Sequence, residues 1–181
     1  MRVLAALLAL AAAAPALAAE PAKPAPKPAA PKPAAKPAAT GAFDARDPAA
    51  LVGLLASMDA KASVVGRADG VVVLDIATPG GKFGAQFVDC DPQGKACGMV
   101  AFSTAFERRG ANLAQINVFN RSQVACRGYL TDDGRANVMY GAMITARTNA
   151  AEMKQHLGVW QGCLSTFGSF NRDPTAFTPG A

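Results

Sequence analysis

The sequence predicts an α+β domain in which a single antiparallel sheet has helices packed on it, in the order α-β-β-β-β-α-β-β-α. Three observations support this class. Short apolar runs are separated by Asp-Gly and Pro-Gly turn signals, as expected for strands joined by hairpins. Apolar stripes with helical spacing occur at both ends of the region and once between the strands. Each stripe follows an Asp or Asn that is suited to cap a helix.

The first predicted helix covers residues 48–58, because Asp47 can cap it and Pro48 suits its first turn. Its apolar stripe includes Met58. Strands are predicted next, with turn signals between them at Asp69-Gly70 and Pro79-Gly80-Gly81. The three strand ranges are 62–67, 71–78 and 82–89.

A long turn-rich loop from Cys90 to Cys97 then leads into a predicted strand over 99–106, which would form a hairpin with the strand before it. Asn112 can cap a second helix over 112–122. The Asp132-Asp133-Gly134 turn predicts that strands 124–131 and 136–145 pair as neighbours.

The last predicted helix begins near Asn149, which can cap it together with Glu152. Apolar residues then recur at helical spacing, a pattern typical of a helix face packed against a core. That stripe consists of Met153, Leu157, Trp160, Leu164 and Phe167.

The amino terminus predicts export. Residues 1–18 have a charged Arg2, an apolar stretch and a small-residue cleavage site, as in a signal peptide. The stretch is too short for a transmembrane helix, and no later segment is long enough, so no transmembrane segment is predicted. Residues 19–41 are rich in Ala, Pro and Lys and predict a disordered linker. We expect a domain over 42–172, a flexible tail over 173–181, and a periplasmic or alternatively secreted location.

The basic charge of the chain lies mostly in the linker. Of the net charge of +5, Arg2 leaves with the signal and the linker holds +3 once Glu20 is subtracted, so the domain keeps +1. A nucleic-acid-binding domain concentrates positive charge on its folded surface, so no nucleic-acid partner is expected. The linker lysines are explained either as a solubilising charge or as a means of weak contact with an anionic envelope surface. These lysines are Lys23, Lys27, Lys32 and Lys36.

The four cysteines predict disulfides, because an exported chain meets an oxidising compartment. Cys90 and Cys97 flank one loop, and their pairing leaves Cys126 for Cys163. Reduced cysteines, redox exchange and a metal site remain alternatives. Redox exchange would favour a Cys-x-x-Cys motif, and zinc would favour two closely spaced pairs; the sequence has neither.

No catalytic, metal-binding or cofactor-binding residues are predicted. His156 is the only histidine, and Cys163 is about 10.5 Å further along the same helix, too far for a base and its nucleophile. Other residues that could suggest catalysis or ligand binding are better explained by structural roles. The serines lack a nucleophile elbow, the carboxylates lie in turns, the two arginines form a basic pair in a solvated loop, and the glycines precede a strand. These residues are Ser103, Ser122, Ser165, Asp132, Asp133, Asp89, Asp91, Arg108, Arg109, Gly80 and Gly81.

Several local strings resemble the YbjN-domain family, described as bacterial sensory transduction regulators with a fold similar to that of type III secretion chaperones. The resemblance covers about residues 48–170 and rests on the order and spacing of the strings. They are Phe87-Val88-Asp89-Cys90, Ile116-Asn117-Val118-Phe119-Asn120, Tyr129-Leu130-Thr131-Asp132-Asp133-Gly134 and the helix around Trp160. The resemblance implies an α+β protein-binding module without an established active site.

We therefore expect an exported, non-catalytic protein-interaction or regulatory module with an unidentified binding site and protein partner. Edge strands and a hydrophobic sheet face would allow a homodimer, by analogy with secretion chaperones. Two alternatives remain open. One is an envelope-attached structural protein that uses the basic linker, and the other is a thiol-dependent enzyme built around Cys163 or Cys126.

Overall fold

A computed structural model describes residues 42–106 and 110–177 and confirms the α+β class in the predicted order. The predicted signal peptide and linker, Arg108-Arg109 and the end of the predicted tail lie outside the described residues. The elements are α1 (Pro48–Ala56), β1 (Lys61–Ala68), β2 (Val71–Thr78), β3 (Gly81–Val88), β4 (Met99–Phe106), α2 (Leu113–Ser122), β5 (Arg127–Leu130), β6 (Ala136–Met143) and α3 (Ala150–Arg172).

Within the described residues, the strands form one six-stranded sheet in the order β1-β2-β3-β4-β6-β5, with every neighbouring pair antiparallel. The predicted pairing of β5 with β6 is confirmed. β6 inserts between β4 and β5, since the chain passes through α2 before it returns to the sheet. β1 and β5 are therefore the two edge strands.

The helices in the described part of the chain cover one face of the sheet, here called the inner face. Trp160 of α3 contacts Phe83 and Phe102, with ring centroids 5.6 and 6.2 Å apart. A Cβ placed on Gly128 of β5 would meet Ile116 of α2 on the same face. The inner-face strand residues are buried and apolar because alternate residues of a strand point to the same side. They include Val72, Leu74, Ile76, Ala85, Phe87, Val100, Val138 and Ala142.

Each helix begins at the capping residue that the sequence predicts. The Asp47 side chain accepts a hydrogen bond from the Ala49 N–H at 2.9 Å. Asn112 and Asn149 each form a capping box with the third residue of their helix. These caps satisfy backbone N–H groups that a helix start leaves without partners.

The prediction that α1 extends to Met58 is wrong by two residues, since the helix ends at Ala56. The Ser57 hydroxyl donates to the Leu54 carbonyl at 2.6 Å, and Asp59 adopts a φ of 57°. These residues turn the chain toward β1. Met58 is therefore 38% exposed instead of extending the buried stripe of the helix.

Most strand boundaries lie within one residue of prediction, and two differ by more. β5 begins at Arg127 and not at Val124, which is 95% exposed, because the Cys126 side chain is bonded to α3. The predicted strand over 136–145 ends at Met143, where the Ile144 N–H donates instead to the Gly98 carbonyl at 3.0 Å.

The core continues past the end of α3 through a cluster of phenylalanine rings. Phe119 contacts Phe167 and Phe170, with ring centroids 4.9 and 5.0 Å apart. Phe177 lies in the predicted tail, and its ring packs 5.7 Å from Phe119 and 5.2 Å from Phe170. The packed region thus reaches beyond residue 172. No helix in residues 42–106 and 110–177 has both the length and the apolarity needed to cross a membrane.

Candidate functional site

The sheet face opposite the helices, here called the outer face, is the broadest candidate surface. Alternation along the strands places a separate set of residues there, and those of β2 to β6 are partly or fully exposed except for the buried Asn137. Most are apolar or small. On β2 to β6 they are Val71, Val73, Asp75, Ala77, Lys82, Gly84, Gln86, Val88, Met99, Ala101, Ser103, Ala105, Arg127, Tyr129, Asn137, Met139, Gly141 and Met143.

One row of this face is continuously apolar across four neighbouring strands. The register pairs Val71 with Val88, Val88 with Met99, and Met99 with Met143. Met99 is 39% exposed and Met143 is 75% exposed. Exposed apolar residues are normal when scattered singly, whereas a contiguous row is typical of an interaction surface.

A second row carries opposite charges toward its two ends. Asp75 lies on β2 and Arg127 on β5, with Gly84, Ser103 and Met139 between them. Four strand spacings separate the two charges, or about 19 Å at ~4.8 Å per spacing, so they do not pair within one chain. Arg127 Nη1 donates to the carbonyls of Gln123 at 2.8 Å and Cys126 at 2.7 Å, which fixes the position of that guanidinium.

The outer face has the dimensions of a protein interface. In the described part of the chain, six strands of mostly eight residues span about 25 Å in each direction, a planar area of roughly 600 Å². Two such faces would bury about 1,200 Å², and specific interfaces bury ~1,200 to 2,000 Å². A surface of this size recognises another protein more readily than a small molecule, which binds in a concave pocket.

Both predicted disulfides are present. Cys90 and Cys97 close the loop between β3 and β4, and Cys126 is bonded to Cys163, with Cα atoms 5.5 Å apart. The second disulfide ties the start of β5 to the middle of α3. Since these are the four cysteines of the chain, no free thiol is present for nucleophilic chemistry.

His156 has a partner that the sequence did not reveal. Its Nδ1 lies 2.7 Å from the Tyr140 hydroxyl of β6, and both side chains are half-buried. Burial raises the pKa of Tyr140 above its usual 10.0. The Tyr140 ring stacks on Phe102 at 6.5 Å, so the pair fastens α3 to the sheet.

The candidate carboxylates form local turns. Asp133 binds the Thr131 hydroxyl, which lowers the pKa of its carboxyl, and it also accepts from Arg135 Nε at 2.7 Å. Asp91 accepts from the backbone N–H groups of Gln93 and Lys95 at 3.0 and 2.7 Å. In residues 42–106 and 110–177, no group of three or more His, Cys, Asp or Glu residues is placed to hold a metal ion.

A second candidate site, here called the inter-helix cleft, lies between α1 and α3 and was not predicted. Its volume is about 620 Å³. The lining comes from the end of α1, the β2–β3 turn, the end of β4 and the middle of α3. The principal side chains are Leu55, Met58, Phe83, Phe106, Leu157, Trp160, Gln161, Leu164 and Ser165.

The serines and glycines that the sequence analysis considered as possible functional residues lie in different parts of the structure. Ser103 lies at the centre of the outer face, whereas Ser165 and Gly80-Gly81 line the cleft. The Ser122 hydroxyl donates to the Phe119 carbonyl at 2.7 Å and closes the end of α2. The structure brings none of these serines into hydrogen bonding with His156, whose partner is Tyr140.

Comparison with known proteins returned no relationship on which function could be assigned. No protein-family model, no curated protein and no solved structure matches this chain. Function must therefore be argued from the surfaces themselves, and the resemblance to the YbjN-domain family stays a prediction from the sequence.

Proposed function

We propose that this protein is an exported, non-catalytic protein-interaction module that acts through its outer face. The observation that carries this proposal is the uninterrupted apolar row from Val71 to Met143, on a sheet face that the helices α1 to α3 leave open. Apolar area on such a face is released from water when a second protein covers it.

A second copy of the chain is the occupant that best fits the face. Consider a two-fold axis that runs along β4 between two facing sheets. It would place Met99 opposite the partner's Met99 and Val88 opposite the partner's Met143, because β3 and β6 flank β4 on its two sides. Gln86 would meet the partner's Gly141, so a long side chain faces an open position.

Charge complementarity also favours a second copy. The same axis places Asp75, two strands from β4 on one side, opposite the partner's Arg127, two strands from β4 on the other. A C2 interface makes such a pair twice, since each copy contributes both residues. Small residues at the centre, Ser103 and Ala101, allow the two sheets to approach to about 10 Å.

Two observations support the exported location. Disulfides persist in oxidising compartments and are rare in the cytosol, and this chain has two of them. The amino-terminal sequence has the charge, apolar stretch and cleavage site of a signal peptide. The thiol-dependent alternative would first require reduction of the Cys126–Cys163 disulfide, of which Cys163 is fully buried.

Site-specific photo-crosslinking in exporting cells tests the proposal. A photoreactive residue replaces Ser103 on the outer face or, as a control, Gln155 on the exposed side of α3. We expect Ser103 to give an adduct of twice the chain mass and Gln155 to give none. An adduct with a different protein would keep the interaction function and overturn the second copy as the partner. No adduct from Ser103 would overturn the proposed function.

A further inference from the structure

The two edges of the sheet differ in how their backbone groups are satisfied. On β5, the Gly128 N–H donates to Asn120 Oδ1 at 2.7 Å, and the Gly128 carbonyl accepts from Asn120 Nδ2 at 3.0 Å. Asn120 belongs to α2, so its side-chain amide takes the place that the backbone of a further strand would occupy. Gly128 is buried beneath it. The β5 edge is therefore closed to another strand.

The β1 edge has no such cover. None of the eight residues of β1 is buried, and six of them are exposed. Within residues 42–106 and 110–177, the β1 backbone forms its hydrogen bonds with β2, and no loop or side chain bonds its other side. An edge strand in this state is a template on which another chain can form a strand.

The register shows which backbone groups of β1 point away from the sheet. Thr78 closes the two-residue turn to β3, so its N–H and C=O face β3. The same direction holds for Ile76 and Leu74, because the direction alternates along a strand. Their partners on β1 are Ala62 and Val64. The N–H and C=O groups of Ala62 and Val64 therefore point outward.

The side chains at this edge add an aliphatic surface. Val64 is 41% exposed and Val65 is 62% exposed. The pairing with β2 shifts between Val64 and Gly66, so Val65 is a bulge that ends the straight stretch over residues 61–64. Val64 lies opposite Leu74, which is buried on the inner face. An aliphatic side chain on an added strand would cover Val64 from the edge.

An extended peptide backbone is the chemistry that matches a row of alternating N–H and C=O groups. The linker over residues 19–41 does not provide it, because its many prolines lack the N–H. A second copy of β1 would bring its own bulge into the pairing. The register centred on Val64 would also set Lys61 opposite the partner's Arg67, and like charges in that position are destabilising. A segment of a different protein remains as the occupant.

We propose that β1 binds an extended, proline-free segment of a different protein by antiparallel strand addition. Aliphatic residues of that segment lie opposite Ala62 and Val64 and exchange backbone hydrogen bonds with both. An acidic residue lies opposite Lys61, which forms no ion pair within the described part of the chain. This site is the rim of the sheet and not its outer face, so each proposal can fail without the other.

Nuclear magnetic resonance with a synthetic peptide tests the proposal on the mature protein. The probe is acetyl-Thr-Val-Thr-Val-Glu-Thr-amide, whose valines fall opposite Val64 and Ala62 when its glutamate is opposite Lys61. We expect saturable shifts of the amide signals of residues 61–64 and slower hydrogen exchange at Ala62 and Val64. No saturable shifts, or shifts confined to the outer face, would overturn the proposal.

Two isomeric probes separate strand pairing from other binding. N-methylation of both valines removes the N–H groups that would donate to β1, and we expect the affinity to fall at least about tenfold, the effect of two neutral hydrogen bonds. N-methylation of the glutamate and of the threonine between the valines alters N–H groups that point away from β1, so affinity should be retained. Equal affinity of the two isomers would overturn strand addition.

Variants of Ala62 test the same contact from the protein side. Ala62→Pro removes the outward N–H and takes no hydrogen bond from β2, as is usual for proline in an edge strand. We expect it to weaken the unmodified probe at least about fivefold, and Ala62→Ser to bind like wild type. Full affinity in Ala62→Pro would overturn the assigned contact. The methylated probes are measured on wild type, so their result does not depend on the folding of this variant.

Discussion

The hydroxyl of Tyr140 on β6 lies 2.7 Å from Nδ1 of His156 on α3, across the interface between the sheet and its longest described helix. Either group can donate this hydrogen bond. Trp160, one helical turn further along α3, is fully buried against Phe102. The Tyr140–His156 contact thus lies at the solvent-exposed edge of the core and helps to fix the position of α3 on the sheet.

Replacing Tyr140 with Phe should lower stability at neutral pH and alter its dependence on alkaline pH. Loss of the hydrogen bond should reduce the free energy of unfolding by about 1 kcal/mol. Burial raises the folded-state pKa of Tyr140 above 10.0, so the folded protein keeps a proton that the unfolded chain releases. This stabilisation is fully present below pH 10 and is lost as pH rises through the folded-state pKa.

Urea unfolding measured between pH 8 and 11 checks this prediction, with Tyr129→Phe as the control. Tyr129 is the only other tyrosine and is 40% exposed on β5. Wild type and Tyr129→Phe should lose stability more steeply above pH 10 than Tyr140→Phe does. If the free energy of unfolding falls equally steeply above pH 10 in all three proteins, the raised pKa of Tyr140 is contradicted.

The two disulfides should contribute unequally to stability. Cys90 and Cys97 lie 7 positions apart in the sequence, and Cys126 and Cys163 lie 37 positions apart. The chain-entropy account assigns roughly 2.5 kcal/mol to the shorter loop and about 4 kcal/mol to the longer one. We expect a Cys126→Ala/Cys163→Ala variant to unfold at lower urea concentration than Cys90→Ala/Cys97→Ala. The reverse order would mean that strain or native packing outweighs loop entropy.

Gly128 should not tolerate a methyl group. A Cβ at this position would lie 2.6 Å from Phe167 Cε2, and the Phe167 ring is fully buried between other aromatic rings. We expect Gly128→Ala to destabilise the protein by about 1 to 3 kcal/mol through overpacking. Gly158 of α3 is the control, since it is exposed and an added Cβ there meets nothing within 4 Å. Equal thermal midpoints for the two alanine variants would refute this prediction.

Local signals explain why so much of the fold could be predicted from the sequence. Asp47, Asn112 and Asn149 cap the helices as predicted, since capping depends on residues only two or three positions apart. The Asp69-Gly70 and Asp132-Asp133-Gly134 turns place glycines at positive φ, of 69° and 77°. The cysteine pairing could be predicted because the short loop between Cys90 and Cys97 favoured one disulfide. That disulfide left Cys126 to pair with Cys163.

Features that depend on distant contacts could not be predicted in the same way. Tyr140 and His156 are 16 residues apart and meet only because α3 folds back over β6. The packing of Phe177 against Phe119 likewise had no local signal, since prolines and glycine around it suggested a loose tail. The cleft arises because α1 ends two residues early and leaves Met58 at its wall.

Charge reversal tests the pairing of Asp75 with the partner's Arg127. Asp75→Arg and Arg127→Asp should each weaken self-association, because each variant places like charges opposite one another. The double variant restores opposite charges with exchanged positions and should recover association. Dissociation constants from sedimentation velocity provide the measurement. If the double variant loses as much association free energy as the two single variants together, the proposed two-fold arrangement is contradicted.

Sedimentation equilibrium of the mature protein and of its Met58→Asp and Met99→Asp variants tests the role of the outer face most directly. We predict that wild type and Met58→Asp sediment as dimers, whereas Met99→Asp sediments as a monomer with an unchanged circular dichroism spectrum. The two methionines differ by one percentage point in exposure, so only their location separates the variants. A monomeric wild type, or a Met99→Asp variant that remains dimeric, would contradict assembly through this face.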